Sequence, residues 1–368
     1  MQRRSAWISA GVLLAAVLGV VPTASAQRYQ QHNIVSDGSV PADIKDPQLV
    51  NPWGLSASAT SPWWVSDNGA DVSTLYNIAT GMKAPLVVSV PGAPTGTVFN
   101  NSNGFEVAPG VKSLFMFATE AGTIRGWNPA ATGTNTFVLV DNGPFGAVYK
   151  GLAIAVTAKG AWLYATNFHA GTVDVYDSKW TQVKGGFKDW WLPKGYAPFG
   201  IQVLGDSVFV TYALREKDGD DDVPGPGHGF VDQFDLAGHF IRRVASRGVL
   251  NSPWGIAWAP DGFGRFSKHL LIGNFGDGRI HAFDFKRHGH FGRFDLDGRM
   301  RDAKGRTLAI EGLWAIAFGN GAAAGPATTL FFTAGPNDEA NGVMGSLVPV
   351  PKKDHDDDDD DHHDDSDN

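Results

Sequence analysis

Short runs of Val, Ile, Leu, Phe, Trp and Tyr alternate with polar residues along this chain, and most runs close on Gly, Pro, Asn or Asp. A period of two bounded by such turn formers predicts β-strands. No long stretch carries the period of an amphipathic helix, so the pattern predicts an all-β fold. One stretch shows the rhythm clearly. Leu152 to Val156 reads as a first strand and Thr157 to Gly160 as a turn. Trp162 to Thr166 reads as a second strand, Asn167 to Gly171 as a turn, and Thr172 to Asp177 as a third strand. A fourth follows near Trp180 to Phe187.

This unit recurs six times. Its openings are Asn51-Pro52-Trp53-Gly54-Leu55, Asn103-Gly104-Phe105, Lys150-Gly151-Leu152-Ala153, Pro198-Phe199-Gly200-Ile201, Ser252-Pro253-Trp254-Gly255-Ile256 and Glu311-Gly312-Leu313-Trp314-Ala315. Their glycines are spaced by 47 to 57 residues, the length of a four-stranded blade that cannot bury both faces alone. The expected architecture is a six-bladed β-propeller. Blades are expected at 52–101, 102–149, from 150, at 198–251, at 252–309 and from Glu311. The last unit runs out of apolar sequence after three strands. Tyr29 to Ser36 is strand-like and precedes the first repeat, so it is expected to complete blade six and close the ring. The recurring Trp53, Phe199, Trp254 and Trp314 are expected to pack between blades; aromatic platforms for a sugar are the alternative.

Composition refines this picture at the ends. Arg3 and Arg4, an apolar stretch from Ala6 to Val21 and Ala24-Ser25-Ala26 read as a signal peptide over residues 1–26. The propeller is expected over 27–350, and a low-complexity Asp/His tail over 351–368 that repels itself and buries nothing. Past the leader no apolar run is long enough to span a membrane. The expected location is therefore outside the cytoplasm, periplasmic or extracellular. The chain has no Cys, so the core must hold without disulfides. The net charge of −8 is mostly tail: ten Asp lie in residues 354–368, and the folded part carries about −2. A nearly neutral body without a basic block argues against a nucleic-acid partner.

The phrases Leu163-Tyr164-Ala165-Thr166-Asn167 with Gly171-Thr172-Val173-Asp174, and Leu271-Ile272-Gly273-Asn274-Phe275-Gly276-Asp277-Gly278, resemble NHL-type propeller repeats. With Gly229-Phe230-Val231-Asp232 and Phe332 to Glu339, the chain over residues 29–350 is similar to a family of exported bacterial propeller proteins of uncharacterised role. That resemblance implies a fold and export, and no established activity.

In such a blade the entry to strand one and the loop between strands two and three share a face, where ligands commonly meet the channel. The residues placed there are Asn51, Asn103, Asn68, Glu120, Asn167, His169, Tyr212, Asn274 and Glu311. Oxygen donors of this kind suit Ca²⁺. Glu311 with Asn167 and Asn274 imitates, by analogy of fold alone, the metal site of gluconolactonase-type propellers. A second candidate is Asp220, Asp221 and Asp222 in the long blade-four loop; a solvated acidic loop is the alternative. His288 and His290 supply too few ligands for a closed site; tail residues His355, His362 and His363, among their Asp neighbours, suit weak divalent-cation binding without defined geometry, and a solubilising appendage is the alternative. No nucleophile elbow appears. The leading expectation is a non-enzymatic binding or scaffold module for a protein, small molecule or carbohydrate. The alternative is a Ca²⁺-dependent hydrolase of the lactonase kind acting at the channel mouth.

Overall fold

The computed structural model describes residues 28–217, 219–288 and 291–350. The leader over 1–26, the tail over 351–368, Asp218 and His290 lie outside the described residues. Six blade sheets surround one axis, antiparallel except where Ile44–Lys45 joins Tyr29–Ser36 in parallel. The inner strands are Pro52–Ser56, Pro94–Phe99, Tyr149–Thr157, Tyr196–Leu204, Pro253–Trp258 and Leu313–Phe318. Each touches the next, and the sixth returns to the first. The fold is thus a closed six-bladed propeller. Blade six takes its fourth strand from the N-terminus. Tyr29–Ser36 pairs antiparallel with Val343–Pro349, from Tyr29 opposite Pro349 to Ser36 opposite Val343. No helix among the described residues is long and apolar enough to cross a membrane.

The inner strands explain the repeated glycine. A Cβ on Gly54 would lie 2.5 Å from the Thr95 carbonyl oxygen, one on Gly96 2.2 Å from the Leu152 nitrogen, and one on Gly200 2.1 Å from the Trp254 carbonyl oxygen. Neighbouring backbones meet there, and only hydrogen fits. Two expected openings are corrected on this criterion. Blade two starts on Thr95-Gly96-Thr97; Asn103-Gly104-Phe105 lies in the loop after that strand, where Gly104 faces Ser178. In blade six Ala315 stands where the other blades have glycine, and Gly312 faces Gly335 instead. Gly200→Ala should therefore lower stability by about 1–3 kcal/mol, the usual range for overpacking. Gly151→Ala should cost less, because its Cβ would sit 3.0 Å from the nearest atom. Urea denaturation of both variants tests the ranking, and equal losses would refute this account.

Apolar seams fill the wedges between blades. Trp64, Phe115 and Trp127 pack between blades one and two, and Phe209, Ile256 and Phe283 between four and five. Threonines in the second strands stitch the ring. Thr166 Oγ1 donates to the Phe199 carbonyl (2.7 Å) and Thr333 Oγ1 to that of Trp53 (2.6 Å).

Trp53, Phe199, Trp254 and Trp314 were expected between blades. They meet one another on the axis instead. Trp53 stacks on Trp314 at 3.5 Å, and Trp254 meets both edge-on at 6.1 and 5.9 Å. This layer closes the channel. Below it, a funnel of about 750 Å³ is lined by the distal ends of all six inner strands, from Leu55 to Phe318. Above it lies the candidate site.

Candidate functional site

Lys150 is the hub of the upper face. It occupies in blade three the inner-strand position that Trp53, Phe199, Trp254 and Trp314 hold in their blades. The Trp254 indole donates to its carbonyl oxygen at 3.0 Å and fixes its backbone. The side chain is 2 % exposed. Its Nζ donates to Glu120 Oε1 (2.5 Å) and to Asp221 Oδ1 (2.9 Å). It also lies 5.3 Å from the Trp53 ring centroid and 5.9 Å from that of Phe168. Burial alone would depress this ammonium's pKa; the two carboxylates outweigh it and hold the pKa above the ordinary lysine value.

A hydrogen-bonded chain runs outward from this hub. Glu120 Oε2 accepts from Asn68 Nδ2 (2.9 Å). Asn68 Oδ1 accepts from Asn51 Nδ2 (3.2 Å), which also donates to Glu339 Oε2 (2.5 Å). Asn51 Oδ1 accepts from the Trp314 indole at 3.0 Å. Blades one, two, three, four and six each contribute a member. Local backbone geometry makes this possible. Asn51 has φ 44°, and Asn337, Asp338 and Glu339 form a left-handed run at 59°, 49° and 65°. Such values are uncommon outside glycine, most of all for Glu. That run turns Asp338 and Glu339 back over the channel. Gly335 leaves room for Asn51, whose Oδ1 would lie 2.3 Å from an added Cβ.

Together these residues wall a cavity of about 560 Å³. Its inner side is aromatic: Phe275 stacks on Trp314 at 4.0 Å, and Trp314 on Trp53. Its rim is acidic, with Glu120, Asp221, Asp222, Glu311, Asp338 and Glu339. Burial raises the pKa of Glu339 and pushes that of Asp222 up to about 6. The folded state therefore keeps a proton on Asp222 that the unfolded chain releases near pH 4. The resulting stabilisation is complete below about pH 4 and lost as pH rises through about 6. Urea unfolding between pH 4 and 7 should show a shallower fall in stability for Asp222→Asn than for the parent. A steeper fall would reverse the sign.

The structure gathers Asn51, Asn68, Glu120 and Asp221 into one network and sets Asp222 and Glu311 on the cavity wall. It does not gather the others. Asn103 lies on the opposite face, in a groove with Glu106 and Trp180, because blade two begins earlier than expected. Tyr212 is buried in the seam between blades three and four, where its strand turns it away from the axis. Asn167 is spent on its own turn: Oδ1 accepts from Ala170 N (3.1 Å) and Nδ2 donates to Asp174 (3.1 Å). Asn274 donates to the Val249 carbonyl and to Asp277. His169 pairs with Asp220 at 2.5 Å on the exposed rim, outside the cavity lining. Glu311, Asn167 and Asn274 thus do not form one metal cage; Glu311 accepts from the Asn337 backbone N–H at 2.9 Å. Asp220 and Asp221 point to different partners, so the loop triad does not converge either. Among the described residues no three His, Asp or Glu side chains are placed to hold one ion. Sequence reasoning puts Lys150 at the entry to a first strand on this face without making it a site residue, and it missed Asp338 and Glu339. A lysine at an otherwise aromatic inner-strand position was the available signal.

Fold and site define a six-bladed β-propeller with an aromatic axial plug under a polar upper cavity. No family model matches the chain. Two uncharacterized proteins of Acanthamoeba polyphaga mimivirus are each 31% identical to it, over 350 and 351 residues. The alignments cover 89% of this chain and 87% and 82% of the viral proteins. The chain belongs to the family of these proteins. Both relatives are viral, so the bacterial origin implied by the sequence resemblance does not follow from them. A solved Bacteroides thetaiotaomicron protein of unknown function is similar in fold, with a TM-score of 0.54 at 11% identity, covering 88% of this chain and 76% of that one.

Proposed function

We propose that this chain is a non-enzymatic binding module that takes a small ligand into the upper cavity, and that it does so after export. The observation that carries this reading is the cavity itself. Its wall is built by loops of blades two, four, five and six, while blades one and three supply Trp53 and Lys150 from their inner strands. Its lining contains no hydroxyl, thiol or imidazole side chain. Lys150 is held charged between two carboxylates, so it is neither a nucleophile nor a base at neutral pH. The apolar leader over residues 1–26 supports export.

A Ca²⁺-dependent lactonase is the reading to beat, since oxygen donors crowd the rim. Against it stands the Lys150 ammonium, which occupies the point where Glu120 and Asp221 converge and would repel a divalent ion. The test is a thermal-shift screen of the full chain against small polar metabolites and oligosaccharides, with and without Ca²⁺. The expected result is stabilising compounds whose effect disappears in Glu311→Trp, which fills the cavity, and no turnover. Ca²⁺-dependent lactone hydrolysis abolished by the same variant would replace this reading with the hydrolase. Compounds that stabilise both proteins equally would remove the cavity from consideration.

A further inference from the structure

We infer that the ligand of the upper cavity is an organic cation, an ammonium or guanidinium group on a compact body; this rests on the binding-module reading above. Charge on the wall is the first ground. Lys150 compensates Glu120 and Asp221, while Asp222, Glu311, Asp338 and Glu339 have no ion-pair partner among the described residues. Four uncompensated carboxylates around one space repel each other, and a bound cation relieves that repulsion.

The protein's own lysine is the second ground. Lys150 already sits in this site as an alkylammonium, held by carboxylates on one side and the rings of Trp53 and Phe168 on the other. The free part of the cavity repeats that combination. Glu311, Asp338 and Glu339 line it together with the Phe275–Trp314–Trp53 stack. Carboxylates plus aromatic faces are a recognised environment for organic cations. The third ground is Trp53. It lines the cavity, is 2 % exposed, and its indole N–H has no partner. This donor suits an acceptor oxygen on the ligand body, as in a hydroxylated amine. A metal ion fits worse. Among the described residues no three His, Cys, Asp or Glu side chains converge on one point, and an ammonium already holds the hub.

Titration calorimetry on the full chain tests this with glucosamine and agmatine as cationic probes, glucose as the uncharged match to glucosamine, and Ca²⁺. The Asp-rich tail attracts cations too, so the readout is the difference between the parent and Glu311→Gln/Asp338→Asn. Neither residue belongs to the network around Lys150, and the tail is the same in both proteins. At least one cationic probe should bind, at least about tenfold more weakly to the double variant, the equivalent of about 1.4 kcal/mol. Cation binding equal in both proteins would assign it to the tail or surface and overturn the inference. Glucose bound as well as glucosamine, with both lost in Glu311→Trp, would keep the cavity as a ligand site but overturn the cationic class. Ca²⁺ weakened as strongly as the organic probes would make it a metal site instead. No binding by any probe overturns the inference, and if the Glu311→Trp screen is empty as well, the binding-module reading falls with it.

Discussion

A chain lacking residues 28–36 should lose its cooperative unfolding transition and aggregate. The segment supplies the fourth strand of blade six and enters two seams. Tyr29 is fully buried between blades five and six, packed on Phe263 at 5.0 Å and Phe266 at 6.0 Å. Ile34 and Val35 fill the seam between blades six and one. Returning these three side chains to water costs roughly 5–9 kcal/mol, as large as the whole stability of many domains, about 5–15 kcal/mol. Deletion also strips the pairing edge of Val343–Pro349 and leaves a long strand ready to pair with another chain. The predicted leader cleavage after Ala26 would spare this strand. Circular dichroism melting and size-exclusion chromatography check the expectation, and a synthetic peptide of residues 27–40 should restore monomeric protein in trans. A truncated chain that stays monomeric with the parental melting curve would show that the ring does not need its N-terminal clasp.

The blades were legible because packing writes itself into the inner strands. A backbone approach that admits only hydrogen demands glycine, and an aromatic before it reports the axial plug. That is why Trp53-Gly54, Phe199-Gly200 and Trp254-Gly255 could be read directly. Blade two escaped because Thr95-Gly96-Thr97 has no aromatic, whereas Phe105 is buried against Trp180 at 5.0 Å and mimics a core phrase. The site was legible where only loop position mattered, as for Asn51, Asn68 and Glu120. It failed where strand parity mattered. Ala213 belongs to the axial cluster and its neighbour Tyr212 to a seam, and a one-residue step along a strand reverses the face. It failed again at Glu339, whose arrival depends on three consecutive left-handed residues that no composition rule anticipates. The aromatic residues were assigned to packing correctly and to the wrong interface, since repetition signals burial without saying against what.

Lys150→Met should cost about 3 kcal/mol, the low end of the range for removing one partner from a buried pair. The side chain keeps its length, and Met suits its aromatic neighbours, so the loss reads the charge rather than the volume. Glu120 and Asp221 are then left facing each other without a counter-ion. The low end applies because Glu120 is 28 % and Asp221 76 % exposed, and water recovers part of their solvation. Neutralising one of the stranded groups should return part of the loss, so Lys150→Met/Glu120→Gln is expected to be more stable than Lys150→Met alone. The same substitution should loosen the upper face. Asp221 tethers the blade-four loop to blade three through Lys150, and that loop also meets blade five where Gly225 N–H donates to Asn251 Oδ1 at 2.6 Å. With the first tether gone, limited proteolysis around residues 216–222 should accelerate while the blade cores stay protected. Urea denaturation and a proteolysis time course read the two effects separately. Stability within about 0.5 kcal/mol of the parent, the ordinary scatter of surface changes, together with unchanged cleavage, would mean that the ammonium is a passenger in the acidic mouth rather than its organising charge.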